Sequence, residues 1–185
     1  MIILASGSPR RRRLLGEITG NFTVVVPNVD ENIPKDTPPA EMVEALALRK
    51  ARAVFCTNRN DVVIGADTIV AFGNAVLGKP TDEADAIRML KTLSANSHKV
   101  YTGVAVCSHG GEWVFHDETT VLFRRLSEAE IISYVNSGEP MDKAGAYGIQ
   151  GGASPFVERV EGSLSNVIGL PVEKLTKFLS SRNFI

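Results

Sequence analysis

Only two cysteines, Cys56 and Cys107, occur in 185 residues, with neither a CxxC pair nor a zinc-type spacing between them. That scarcity fits a reducing compartment. His98, His109 and His116 are not spaced as HExxH either. No run of about 20 apolar residues is present to span a bilayer. The apolar start, Met1 to Ala5, is too short for a secretory h-region and precedes its basic residues rather than following them. These absences lead to the expectation of a cytoplasmic protein. A net charge of −1 lacks the basicity of a general nucleic-acid binder, so any positive site must be local. Two phosphate cradles are missing as well: there is no GxxxxGK followed by Ser or Thr, and no GxGxxG between a strand and a helix. A P-loop NTPase or dinucleotide enzyme is therefore disfavoured. Phosphate would have to be held by side-chain cations and a helix N-terminus.

What is present describes an ordinary globule, 44% apolar and 22% charged. Its length suits one domain, or two closely joined lobes, that buries roughly 70% of the unfolded surface. Strand and helix patterns alternate without repeats, which predicts a mixed α/β fold. Strands are expected at Ile2–Ala5, Phe22–Val26, Val62–Ala71 and Phe156–Val160. A long hairpin, Lys99–Ser108 and Glu112–Phe123, turns at "HGGE" and divides the chain into two lobes. Helices are expected at Pro9–Glu17, Pro39–Phe55, from Thr81, at Ser127–Ser137 with a Ser127/Glu130 capping box, and at Pro171–Ser181.

In "LASGSPRRRRLL", Ser8 suits the N-cap and Pro9 the first helical position, so four arginines crowd a first turn that prefers anions. On a wheel of 100° per residue, Leu14, Leu15 and Ile18 define the buried stripe. Arg11 projects from the middle of that stripe, Arg10 and Arg12 flank it, and Arg13 points to solvent. The next long helix has Lys50 at the centre of the face made by Val43, Leu46, Ala47 and Val54. A buried lysine needs a carboxylate or a phosphate. Arg49 and Arg52 fall off that face and are expected at the surface. In "VVIGADTIVA", Asp67 and Thr68 interrupt a buried strand. A carboxylate there binds a cation or is tuned for catalysis. "LGKP" presents Lys79 on a tight turn. Asp30 and Glu31, in the Pro-rich loop, offer hard oxygen ligands for Mg²⁺ or Mn²⁺, although a solvated loop acid is the commoner case. "EPMDKAGAYGIQGG" mixes Asp142, Lys143, Tyr147 and Gln150 with glycines that permit close approach to a ligand. There Tyr147 could stack on a base and the Gln150 amide could read a base edge. Several cations, acids suited to a metal, and a loop able to hold a base together fit a nucleoside polyphosphate.

The motifs "LASGSPRRRRLL", "GADTIV", "LGKP", "EPMDKAGAYGIQG" and "VIGLP", in this order, resemble those of the Maf family of nucleoside triphosphate pyrophosphatases across essentially the whole chain. The resemblance implies a single domain over residues 1–185. Its fold would be a mixed twisted sheet with flanking helices in two lobes around a cleft, similar to inosine triphosphate pyrophosphatases and commonly dimeric. It implies hydrolysis between the α- and β-phosphates with a divalent metal, Mg²⁺ or Mn²⁺. The family's proton acceptor falls on Asp67 and its other site residues on Arg10, Glu31, Lys50 and Lys79; the metal is expected at Asp67 with Glu31. Arg10, Lys50 and Lys79 become phosphate ligands, and Arg11, Thr68 and Gln150 the positions that discriminate substrates. "GADT" with "YGIQG" is similar to the dTTP/UTP branch rather than the branch acting on 7-methyl-GTP. The alternatives are a nucleotide-sensing regulator of septum formation without essential catalysis, and a pyrophosphatase acting on 7-methyl-GTP.

Overall fold

A computed structural model describes residues 1–34 and 36–185. Strand β1 (Ile2–Ala5) leads into helix α1 (Pro9–Ile18), strand β2 (Phe22–Val24), helix α2 (Pro39–Phe55) and strand β3 (Val62–Phe72). Both β2 and β3 pair with β1 in parallel, Ile2 opposite Phe22 and Val62, and helices make the crossovers that parallel strands require. Strand β4 (Ala75–Leu77) turns back antiparallel on β3. Helix α3 (Glu83–Leu93) follows, then strands β5 (Ser97–Ser108) and β6 (Gly111–Phe123) and helix α4 (Glu128–Asn136). Strand β7 (Val157–Glu161) pairs antiparallel with β6, and helices α5 (Leu164–Ile168) and α6 (Val172–Ser181) end the chain. The sheet has seven strands in the order β2-β1-β3-β5-β6-β7, with β4 paired to β3. The expected mixed α/β class is the one found.

The chain forms two compact units. The first comprises Met1–Thr68, Thr102–Asp117 and Gly169–Ile185, and the second Ile69–Tyr101 and Glu118–Ile168. In the first, Ile3, Ala5, Val63, Ala105 and Cys107 of the sheet bury Ala47, Ala51, Val54 and Phe55 of α2. In the second, Leu90 and Leu93 of α3 and Ile131, Tyr134 and Val135 of α4 pack with Val100, Val121, Phe123 and Tyr147.

Local chemistry sets the element ends. Ser8 caps α1 by accepting from Arg11 N, and the Ser127/Glu130 capping box starts α4. Several boundaries differ from expectation, most of them by one or two residues, and helix α5 was not expected at all. Strand β2 ends at Val24 because Val24–Val26 is an exposed edge, although Val25 N still donates to Leu4 O at 3.0 Å. Asp82, not Thr81, caps α3, its carboxylate accepting from Asp85 N at 2.8 Å. Phe156 closes a 3-10 turn on Ala153 O, so β7 begins at Val157. Helix α5 is too short for any periodicity to announce it; Ser163 Oγ accepts from Asn166 N at its start.

Within the second unit His98 is 2% exposed, its Nε2 2.7 Å from the Tyr147 hydroxyl and its ring edge-on to Phe123. Its Nδ1 has no hydrogen-bond partner among the described residues. Burial lowers the imidazole pKa from 6.5 to about 4. The unfolded chain therefore takes up a proton below pH 6.5 that the folded chain refuses until about 4. Stability is full above the upper value and falls as pH drops to the lower one, by roughly 3 kcal/mol in all. Denaturant midpoints followed from about pH 7 to about pH 4 should fall more steeply for the native chain than for His98→Gln; equal slopes would contradict this assignment.

Candidate active site

Two glycines decide where α2 lies. A Cβ on Gly65 of β3 would stand 2.3 Å from the Ala47 carbonyl oxygen, and one on Gly103 of β5 would stand 2.3 Å from the Val43 carbonyl. The helix backbone thus rests directly on the sheet. Alternation along β3 places Asp67 on the same face as Gly65, and Lys50 lies one turn beyond Ala47 on α2. Lys50 Nζ donates to Asp67 Oδ1 at 2.6 Å and sits 2.7 Å from Glu31 Oε1. The Lys50 and Asp67 side chains are 11% and 13% exposed, against 61% for Glu31, so Glu31 closes the cluster from the solvent side. The lysine expected to need a carboxylate or a phosphate has two carboxylates. Strand β3 continues to Phe72, so Asp67 stands within it and not in a terminal turn.

The loop bearing Glu31 is held by Arg49, which donates to the carbonyl oxygens of Asp30 and, at 3.1 Å, Asn32. Arg49 is therefore half-buried and structural, where the sequence predicted a surface charge. Arg52 is exposed, as expected, and pairs with Glu112. The Asp30 carboxylate accepts from Asn32 N at 2.9 Å, an Asx turn.

Arg11 reaches β3 at Thr68, whose side chain alternates to the face opposite Asp67. Its Nε donates to Gly169 O at 2.8 Å, Nη2 to Thr68 Oγ1 at 2.9 Å and Nη1 to Ser6 Oγ at 3.4 Å. Thr68 Oγ1 is also 2.9 Å from Thr102 Oγ1. Burial lowers the guanidinium pKa, Asp67 and Glu31 raise it, and Arg10 lowers it. Arg10, Arg11, Glu31, Lys50, Asp67 and Thr68 thus belong to one electrostatic neighbourhood in the first unit. Arg12 and Arg13 are exposed. Ser6, Thr102 and Gly169 complete this network and were not singled out in the sequence. The lone glycine of "VIGLP" was a signal, with a φ of +130° there.

In the second unit, Lys79 and Gln150 are both exposed. Gly145 N donates to Gly78 O at 3.0 Å, which ties the Lys79 turn to the glycine-rich loop. Gly145 (φ +69°) fits against Val70, where a Cβ would meet the valine at 2.9 Å. Tyr147 corrects an expectation. It is 6% exposed, inserted between His98 and Phe123 with its hydroxyl on His98, and is not available to stack on a base. An apolar ring inside a glycine-rich loop was core and not ligand. Lys143 likewise turns inward, donating to Glu139 O and pairing with Asp142.

A family model described as "Maf-like protein" matches residues 1–182. A curated protein named dTTP/UTP pyrophosphatase from Symbiobacterium thermophilum is 51% identical over 179 residues, covering 97% of this chain and 92% of its own length. Another of the same name, from Bacillus cereus, is 46% identical over 182 residues, covering 98% and 95%. Among solved structures, the Ham1 protein of Staphylococcus aureus superposes with a TM-score of 0.48 at 15% identity, over 98% of each chain.

The close seating of α2 makes a direct prediction. Gly65→Ala should destabilise the protein by about 2 kcal/mol or more, since the added methyl meets backbone that cannot yield. Gly16→Ala on α1, where a Cβ meets nothing within 4 Å, should instead raise stability by about 0.5–1 kcal/mol. Thermal melts of the two variants check both signs.

Proposed function

The chain belongs to the Maf-like family, and from that premise we propose that it hydrolyses dTTP and UTP to the nucleoside monophosphate and pyrophosphate. The observation that carries this reading is the cluster of Lys50, Asp67 and Glu31 beside Arg10 and Arg11. It gathers cations for a polyphosphate and a carboxylate that can take a proton, on one strand and its adjoining helices and loop. The substrate class comes from relatives that carry that name over nearly the whole chain.

A divalent metal fits this cluster. The Asp67 and Glu31 oxygens already converge on one positive atom, Lys50 Nζ. Two hard carboxylates suit Mg²⁺ or Mn²⁺, whose other positions water and phosphate oxygens fill. No group of three or more His, Cys, Asp or Glu gathers as a metal cage among the described residues. Asp67 and Glu31 would hold the ion, and its chemistry is to neutralise charge on the phosphate oxygens.

The protein's own groups do the rest. Asp67 accepts the proton of a water as its oxygen bonds to the α-phosphorus, and the bridging oxygen between the α- and β-phosphorus atoms leaves on pyrophosphate. Arg10, Lys50 and Lys79 offset the triphosphate charge, most strongly as it builds on the leaving group. Lys50 also holds the Asp67 carboxylate in place, donating to its Oδ1 at 2.6 Å. Arg11, Thr68 and Gln150 bear on the nucleoside. Arg11, which donates to three neutral oxygens, is held in one place for that purpose.

Asp67→Asn keeps the shape and removes the proton acceptor. It should lower kcat by about 10²-fold or more while nucleotide binding persists. Chromatography of products from UTP and dTTP with Mg²⁺ or Mn²⁺ should show monophosphate and pyrophosphate for the native chain. Diphosphate with phosphate would place the attack on the wrong phosphorus, and turnover of 7-methyl-GTP alone would move the substrate to the other branch.

A further inference from the structure

Gln150 sits in a turn whose construction is unusual. Gly151 N donates to Gly148 O at 3.1 Å, so Ile149 and Gln150 are its two central residues. Both ends of the turn are gripped by one pair of side chains. The Tyr134 hydroxyl accepts from Gly148 N at 3.1 Å and donates to Glu139 Oε1 at 3.0 Å. The Glu139 carboxylate accepts from Gly152 N at 2.9 Å. Tyr134 is itself fixed, 6% exposed on α4 and edge-on to Phe156 at 5.3 Å.

The glycines follow from this grip. A Cβ on Gly151 would stand 1.9 Å from Glu139 Oε1, and one on Gly152 would stand 3.2 Å from both Glu139 Oε2 and the Tyr134 ring. Their close approach is to Glu139 and Tyr134 of the same unit. Glu139 belongs to the "EPMDKAGAYGIQG" motif, yet neither the phosphate nor the metal roles above use it.

A held turn matters to a base-reading amide for a simple reason. Uracil and thymine offer an N3–H donor beside a carbonyl acceptor, whereas cytosine offers an N3 acceptor beside an amino donor. An amide presents one donor side and one acceptor side, and turned over it matches the other base. The amide alone carries no preference. The amide can turn over about its last torsion. A preference therefore requires that it reach the base from one fixed point, where its reach and its neighbours favour one edge, and that point is set by the backbone.

We infer that the Tyr134–Glu139 pair is a positioning device that fixes the Gln150 turn and so sets the choice of uracil or thymine over cytosine. The inference rests on the assignment of Gln150 to the base. Tyr134 and Glu139 act through Gln150 and touch no substrate.

The test compares kcat and KM for UTP and CTP in the native chain, Tyr134→Phe, Glu139→Ala, Glu139→Gln and Gln150→Ala, with thermal melts and amide hydrogen exchange over 148–152. Tyr134→Phe keeps the ring and removes both hydrogen bonds. It should lower the UTP-to-CTP ratio of kcat/KM about tenfold, mainly through a higher KM for UTP, and speed exchange at Gly148 and Gly152. Glu139→Ala should do the same, and Glu139→Gln, which retains an acceptor oxygen for Gly152 N, should recover most of the ratio. The Glu139 pair carries the test if Tyr134→Phe folds poorly. An unchanged ratio in Tyr134→Phe and Glu139→Ala, with a lowered one in Gln150→Ala, overturns the inference and leaves the base assignment standing. Equal losses on UTP and CTP with a lower melting temperature make the pair merely structural and also overturn it. An unchanged ratio in Gln150→Ala removes the base assignment, and the inference falls with it.

Discussion

The ion pair between Lys50 and Asp67 depends on a backbone contact, and the chemistry of the first unit depends on the ion pair. An ammonium on a four-carbon stem meets a carboxylate on the sheet only because α2 lies against β3 and β5 without intervening side chains at Gly65 and Gly103. Once buried, each charge requires the other; removing one partner from such a pair costs about 3–5 kcal/mol. The pair is therefore a poor source of net stability and a good means of holding a carboxylate at a fixed point. Glu31 adds a second carboxylate from the solvent side, on a loop that Arg49 anchors to the same helix. Helix position, strand face and loop anchor thereby converge on one nitrogen atom.

The parts of this arrangement visible in the sequence were those that violated a local rule. A lysine or arginine centred on an apolar helical stripe, and an aspartate inside an apolar strand, each cost free energy unless partnered, and Lys50, Arg11 and Asp67 were singled out on that basis. Arg49 violated nothing: it lies off the stripe of α2, and its role depends on a loop 17 residues and more away in sequence. Tyr147 misled in the other direction, because a tyrosine among glycines looks exposed until His98 and Phe123 are brought to it from two strands. The glycines in β3 and β5 were legible in principle, since glycine inside a strand marks a close backbone approach. Which helix approaches them was not. The Tyr134–Glu139 grip had no sequence signal at all, as it joins a helix, a 3-10 turn and a glycine-rich loop through hydrogen bonds without period.

The two central cations of the first unit show why lysine and arginine are not exchanged between them. Lys50 must fit beneath a helix seated on glycine and meet two carboxylates that come from different elements. A compact ammonium with three donors does this, meeting Asp67 and Glu31 through one atom. Arg11 has the opposite task. It donates to Gly169 O, Ser6 Oγ and Thr68 Oγ1, three neutral oxygens, through Nε, Nη1 and Nη2 together, which only a guanidinium can do. Those partners carry no charge and fix the orientation of Arg11, while Asp67 and Glu31 are the carboxylates that act on its charge. Lys50 is matched by two carboxylates, whereas the side-chain donors of Arg11 meet neutral oxygens. On the proposed function, Arg10 and Arg11 at the start of helix α1, unfavourable against its dipole in isolation, would face the negative charge of the substrate.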